Sequence, residues 1–254
     1  MIRASWTRIA RVTAGVLGLC LVAPALASAQ GGPGFLFKQP RVTIKFETGY
    51  GIQRTSSDIF EDTRRDLTVG SRDFDAPYIG GELAVRVNER WDVALGVGVV
   101  QESVASEYRD WLEGDLPIEQ VTEFRTIPIT VSAKYYLRDR GRRIGRFAWV
   151  PSTLTPYVGA GVGVVSYRFE QTGDFIDFTE PAPHPIFYDQ FISSGEAALF
   201  RGLAGVTYSL GKQFELTGEA RYDLASADLG PRFEDFEPID LAGFRAVVGV
   251  AVRF

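Results

Sequence analysis

Seven stretches of this chain place apolar residues at every second position, and an eighth does so ambiguously. In "RVTIKFETGYGIQ", Val42, Ile44, Phe46, Tyr50 and Ile52 alternate with Lys45, Glu47 and Gln53. In "FELTGEARYDL", Phe214, Leu216, Ala220, Tyr222 and Leu224 alternate with Glu215, Thr217, Glu219, Arg221 and Asp223. Successive side chains of a strand point to opposite faces, so each segment is a strand with one apolar and one polar face. The same pattern runs through "YIGGELAVRVN", "WDVALGVGVVQE", "IPITVSAKYYL", "FRGLAGVTYSL" and the final "LAGFRAVVGVAVRF". The eighth, "TPYVGAGVGVVSYRFE", leaves its facing open: Tyr157, Tyr167 and Phe169 form one set, Val158, Val162 and Val164 the other. Pro128 lacks the donor a ladder needs and predicts an edge or a bulge.

The connections alternate in length. Asn88–Arg90 and Gly211–Gln213 are short, whereas 55–75, 105–120, 170–196 and 225–240 are long. This predicts an all-β, eight-stranded antiparallel up-and-down barrel, one rim of which carries the long loops. The turn over 138–154 is longer than its fellows and basic, with Arg138, Arg140, Arg142, Arg143 and Arg146 against Asp139.

Alternation alone does not separate a soluble barrel with an apolar lumen from a membrane barrel with an apolar outside; the strand ends do. Trp91, Tyr135, Tyr208, Phe214 and Phe254 fall at one end of the apolar faces, and Tyr50, Phe200, Tyr222 and Phe244 at the other. Two aromatic belts around an aliphatic band are the layout of a transmembrane β-barrel.

The start of the chain fits that reading. Arg3, Arg8 and Arg11, an apolar run and Ala27-Ser28-Ala29 have the layout of a secretory signal peptide over 1–29. The run is short for a membrane anchor, and Leu19 before Cys20 argues against a lipoprotein site. Cleavage would remove the one cysteine and leave 24 basic against 32 acidic residues, a formal charge of −8. That chain has no thiol chemistry and no basic surplus for nucleic acid.

The polar phase would point into the lumen, with Lys45, Arg86, Lys134, Arg201, Arg221, Arg245 and Arg253 against Glu47, Glu82, Asp92, Glu102, Glu215, Glu219 and Asp223. An eight-stranded barrel is just wide enough for its own side chains. Charges in so narrow a space must pair. Equal numbers suit a salt-bridged plug, whereas a selective pore would show a ring of one sign. The four long connections hold 22 Asp and Glu against five Arg, a hydrated surface first and a divalent-cation surface second. They also carry Ile59, Phe60, Phe74, Trp111, Phe175, Phe187, Phe191, Phe233 and Phe236, too apolar for free coil. A cap over the barrel mouth is expected, with a helical turn in "SDIFEDTRR".

From Arg41 to Phe254 the chain resembles the small eight-stranded bacterial outer-membrane barrels, the OmpA-like, OmpX-like and OmpW-like proteins; "TIPITVSAKYYL" and "EARYDL" look like their strands four and seven. The resemblance implies a location in the bacterial outer membrane, with 30–40 a short periplasmic segment and 41–254 the barrel. The implied partners are outer-membrane lipids and, through the C-terminal strand ending on Phe254, the barrel-assembly machinery. It implies a monomer with a structural or surface-interaction role, or else a narrow channel or a carrier of small apolar molecules. Some such barrels modify lipids with a histidine base beside a serine. Here the one histidine, His184, sits in "PAPHPIFYDQF", about ten residues from Ser193 and Ser194, with nothing to hold them together. No enzyme, cofactor or metal site is expected.

Overall fold

The structure is a computed structural model that describes residues 35–254 apart from 147, 182, 183 and 234. The signal-peptide segment 1–29 and the start of 30–40 lie outside the described residues. The strands are β1 (Val42–Gln53), β2 (Ala76–Arg86), β3 (Trp91–Glu113), β4 (Leu116–Tyr136), β5 (Gly141–Ile144), β6 (Ala148–Pro151), β7 (Leu154–Ile176), β8 (Ile186–Ser209), β9 (Phe214–Leu224), β10 (Ser226–Ala227), β11 (Ile239–Asp240) and β12 (Gly243–Arg253). Eight of them close a ring in the order β1, β2, β3, β4, β7, β8, β9, β12, each antiparallel to its neighbours. The ring closes between β1 and β12, from Thr43 opposite Arg253 to Gln53 opposite Gly243. Closure pairs both edges of every strand around the ring; above it, β3 beyond Val100 and β8 before Phe200 are laddered to a ring strand on one side, β4 and β7 respectively. Among the described residues no helix is long and apolar enough to cross a membrane.

Two connections expected as loops are strands. The 105–120 segment completes β3 and β4, which meet at a tight turn where Gly114 and Asp115 take positive φ. Most of 170–196 completes β7 and β8, paired from Leu154 opposite Tyr208 to Ile176 opposite Ile186. The β4–β7 ladder runs unbroken from Tyr136 opposite Tyr157 to Gln120 opposite Gly173. One half of the barrel wall, β3, β4, β7 and β8, therefore stands well above the other half. Above the apolar band the outer face of a strand meets water and need not be apolar, which is why alternation fades there.

β7 faces inward with Tyr157, Val165, Tyr167 and Phe169, all buried, and outward with Val158, Val162 and Val164. Pro128 makes neither an edge nor a bulge. It is a buried, inward-facing residue of β4. The β3–β4 ladder is interrupted opposite it and resumes in the same register, with Val97 opposite Ile129 and Val100 opposite Thr126.

The expected cap is present. Residues 54–75 carry helix α1 (Asp58–Asp66), with Asp58 and Glu61 in its first turn and Arg64 and Arg65 in its last, the order the helix dipole favours. The second cap segment, 225–242, holds the β10–β11 pair and a 3-10 turn at Pro231–Phe233. Asp58 joins the two by accepting from the Glu237 backbone N–H at 2.8 Å. Ile59, Phe60, Phe74, Phe233 and Ile239 pack with Phe124, Val165, Tyr167, Phe169 and Leu199 from the tall wall's inner face. The upper barrel thus has an apolar core of its own. Trp111, Leu112, Phe178 and Phe187 lie outside it, exposed towards the hairpin tips.

Candidate functional site

The lumen below this core is filled by charge. Because β1, β2, β4 and β9 alternate, their polar phases bring Lys45, Glu47, Glu82, Lys134, Glu219 and Arg221 to one level. Lys134 Nζ lies 2.6 and 2.8 Å from the Glu82 oxygens and 3.0 Å from Glu219. Lys45 Nζ is 2.9 Å from Glu47 and 3.3 Å from Glu82. Arg221 donates to both oxygens of Glu47 at 2.6 and 2.7 Å and, through Nε, to Glu219. Two tyrosines not expected in the charge network complete the layer: Tyr78 donates to Glu47 at 2.8 Å and Tyr157 to Glu219 at 2.7 Å. Three cations face three anions. Glu47, Glu219 and Arg221 are 5%, 5% and 2% exposed, so the layer is dry and mutually neutralising.

A second layer lies towards the cap. Arg201 makes a paired contact with Asp223, Nε at 2.7 Å and Nη2 at 2.8 Å, and reaches Thr130 at 2.9 Å. Arg245 donates to the same Asp223 from the next strand. The third layer, at the short-turn rim, is partly supplied from outside the wall. The basic turn folds as the β5–β6 hairpin and sends Arg140 into the lumen, where Nη1 reaches both oxygens of Asp92 at 2.7 and 2.6 Å. Its guanidinium also sits 4.3 Å over the Tyr136 ring. Arg253 donates to Glu215. Trp149 of the hairpin, 3% exposed, pairs through its backbone with Leu36 and closes the mouth beneath Arg86 and Arg253. The space left between these groups is about 20 Å³, room for about one water.

Of the lumen residues named from sequence, Lys45, Glu47, Glu82, Lys134, Glu219 and Arg221 share the central layer, and Arg201, Asp223 and Arg245 the second. Two expected members stand apart. Arg86 lies opposite Asp92 in the β2–β3 ladder, but Arg140 holds that carboxylate, and Arg86 Nε and Nη1 are buried with no hydrogen-bond partner among the described residues. Glu102 is half-buried above the plug and accepts from the Ser103 backbone N–H. Arg140, the residue missed, was visible only as one arginine among five in a turn.

The belt residues Tyr50, Trp91, Phe200, Tyr208, Phe214, Tyr222, Phe244 and Phe254 are exposed on the outer face; Tyr135 is half-buried against Trp91, ring centroids 5.0 Å apart. Between them the outer face carries Ile44, Phe46, Leu83, Leu95, Val131, Val162, Leu216 and Val248, all exposed. An apolar surface of this extent does not sit in water. His184 is not beside Ser193: its Nδ1 is 2.8 Å from the Glu180 carbonyl oxygen, and Ser193 Oγ is engaged with Tyr167 and the Gly230 N–H. Among the described residues no group of three or more His, Cys, Asp or Glu is arranged to hold a metal ion.

No protein-family model and no curated protein matches the chain. Solved structures are similar to it in fold. Neisserial surface protein A is 13% identical, covering 84% of this chain and 97% of its own, with a TM-score of 0.47. The outer membrane protein OprG from Pseudomonas aeruginosa is 14% identical over 86% of this chain and 99% of its own, TM-score 0.47. Outer Membrane Protein W of E. coli is 14% identical over 86% and 100%, TM-score 0.42. The chain's own geometry, a closed ring with an apolar outer band, aromatic edges and a charged interior, is that of an eight-stranded transmembrane β-barrel.

Proposed function

We propose that this is a non-enzymatic bacterial outer-membrane protein whose sealed barrel serves as a membrane-fixed platform for surface interaction. The observation that carries this reading is the lumen, blocked by three charged layers below and an apolar core above. The tall hairpins and acidic cap would face outside, and the N-terminal segment and short turns the periplasm. The separation of His184 from Ser193 supports a non-catalytic role. The test is single-channel recording of the refolded chain in planar bilayers. No current above the lipid baseline is expected; discrete conductance steps would overturn the sealed-lumen reading.

One feature favours a second reading, that of a carrier for small apolar molecules. An open recess of about 250 Å³ in the cap is lined by Ile59, Phe175, Phe191, Phe233 and Phe236. Its lining shares no residue with the charged layers. Saturable binding of an apolar fluorophore, lost in Phe236→Ala, would support carriage over platform.

A further inference from the structure

The short-turn rim has a feature that a sealed platform does not need. A groove of about 1150 Å³ opens between the segment preceding β1, the end of β2 with its turn, and the β5–β6 hairpin. Its lining includes Lys38, Arg41, Arg86, Arg143 and Arg146 against a single acid, Glu89. The long connections at the other end of the barrel are acidic, so the positive charge of this molecule is gathered at the short-turn rim.

The charges are placed, not scattered. The Arg41 backbone N–H donates to the Phe254 carbonyl at 2.7 Å, and its carbonyl accepts from the Arg86 N–H at 2.8 Å, which fixes both residues at the wall. Arg143 donates to Gln39 at 2.8 Å, which ties the hairpin to the opposite side of the groove. Arg86 has lost its cross-strand carboxylate to Arg140, lies over Trp149 at 5.5 Å, and keeps two buried donor atoms without acceptors among the described residues. A half-buried guanidinium with two unmet donors is a demand for an anion. Beside the groove, Val85, Val87 and Phe254 line it and face outward in the apolar band. A ligand that fits carries an anionic oxygen group next to hydrocarbon.

We propose that this groove binds an anionic phospholipid. Its phosphate sits against Arg41, Arg86 and the hairpin arginines, and its acyl chains lie along Val85, Val87 and Phe254. The site rests on the barrel being membrane-embedded, and it adds a specific lipid to that reading.

The test is native mass spectrometry of the refolded chain in a neutral detergent with equal amounts of dioleoyl phosphatidylglycerol and dioleoyl phosphatidylethanolamine. Preferential retention of phosphatidylglycerol by about tenfold, near 1.4 kcal/mol, is expected. Arg143→Ala/Arg146→Ala, exposed residues outside the wall, should bring the two lipids close together. Arg86→Gln should weaken retention as well. Equal retention by the unaltered chain, or an unchanged preference in the double variant, overturns the site. Displacement of phosphatidylglycerol by inorganic phosphate would also overturn it, in favour of a free anion. Mobility of boiled and unboiled samples in SDS reports separately on whether the barrel is closed, so failure of the site is distinguishable from failure of the membrane reading.

Discussion

Arg140 enters the lumen from the turn outside the wall and takes both oxygens of Asp92, although Arg86 stands directly opposite Asp92 in the β2–β3 ladder. Two arginines therefore compete for one carboxylate, and the one farther away in the fold wins. Arg140 brings further partners, the Asn88 carbonyl at 2.9 Å and the Tyr136 ring.

The competition predicts an order of costs. Asp92→Ala strands Arg140 at the mouth and should cost about 3–5 kcal/mol, as for removal of one partner from a buried ion pair. Arg140→Ala leaves Asp92 within reach of Arg86, and should cost about half as much. Urea unfolding of both variants in detergent, followed by tryptophan fluorescence, checks the order; a larger loss for Arg140→Ala would contradict it.

Tyr78 lies across two glycines. A Cβ built on Gly98 would meet Tyr78 Cε2 at 2.3 Å, and one on Gly80 would meet the Tyr78 hydroxyl at 2.3 Å. Gly98→Ala should therefore displace the ring from Glu47 and Arg221 and cost about 1–3 kcal/mol through overpacking. Tyr78→Phe keeps the ring but loses the hydrogen bond it donates to Glu47 and the one it accepts from Arg221, and should cost about 1.5–3 kcal/mol. Denaturation midpoints of both variants should fall; an unchanged midpoint in either would contradict the ring's place in the layer.

Phe60 is fully buried and packs edge-on against Phe74, Phe124 and Phe169. Phe60→Ala should remove about 3–5 kcal/mol from the cap. The cap is a separate core from the plug, so its loss should be local. Limited proteolysis should cut within 54–75 much faster, while the boiled-against-unboiled shift in SDS stays as before. Loss of that shift would mean that cap and barrel unfold together.

At the β7–β8 turn, hydrogen bonds from the Thr179 hydroxyl and backbone N–H hold the Asp177 carboxyl below its ordinary value. A depressed folded-state value means that the turn is supported above the unfolded pKa, and that support is lost as pH falls through the folded one. The protection factor of the Thr179 amide, taken against the intrinsic exchange rate at each pH, should fall on acidification through that range. Asp177→Asn should flatten the dependence; an unchanged profile in the variant would assign it to another group.

Much of this molecule was legible because a bilayer enforces its rule strand by strand. Phe214, Leu216, Tyr222 and Leu224 had to face lipid, and so Glu219, Arg221 and Asp223 had to face the lumen. The partners were not legible. Lys134 and Glu219 are 85 residues apart and meet only because the ring closes. β7 hid its facing because its inner side is glycine where the plug needs room: a Cβ on Gly161 would meet Ser132 Oγ at 2.3 Å. The hairpin extensions were read as loops because their outward residues, among them Glu107, Glu119, Ser194 and Glu196, are polar once the wall leaves the apolar band. Arg140 could not be assigned because a turn arginine carries no periodic signal.

The tall half of the wall has a further consequence. β3, β4, β7 and β8 continue one hydrogen-bonded sheet beyond the apolar band, buttressed on the inside by the cap. A partner arriving from that side meets a pre-shaped template instead of loops that must first be ordered. Little conformational entropy is then lost on docking, so even a modest contact area can bind tightly.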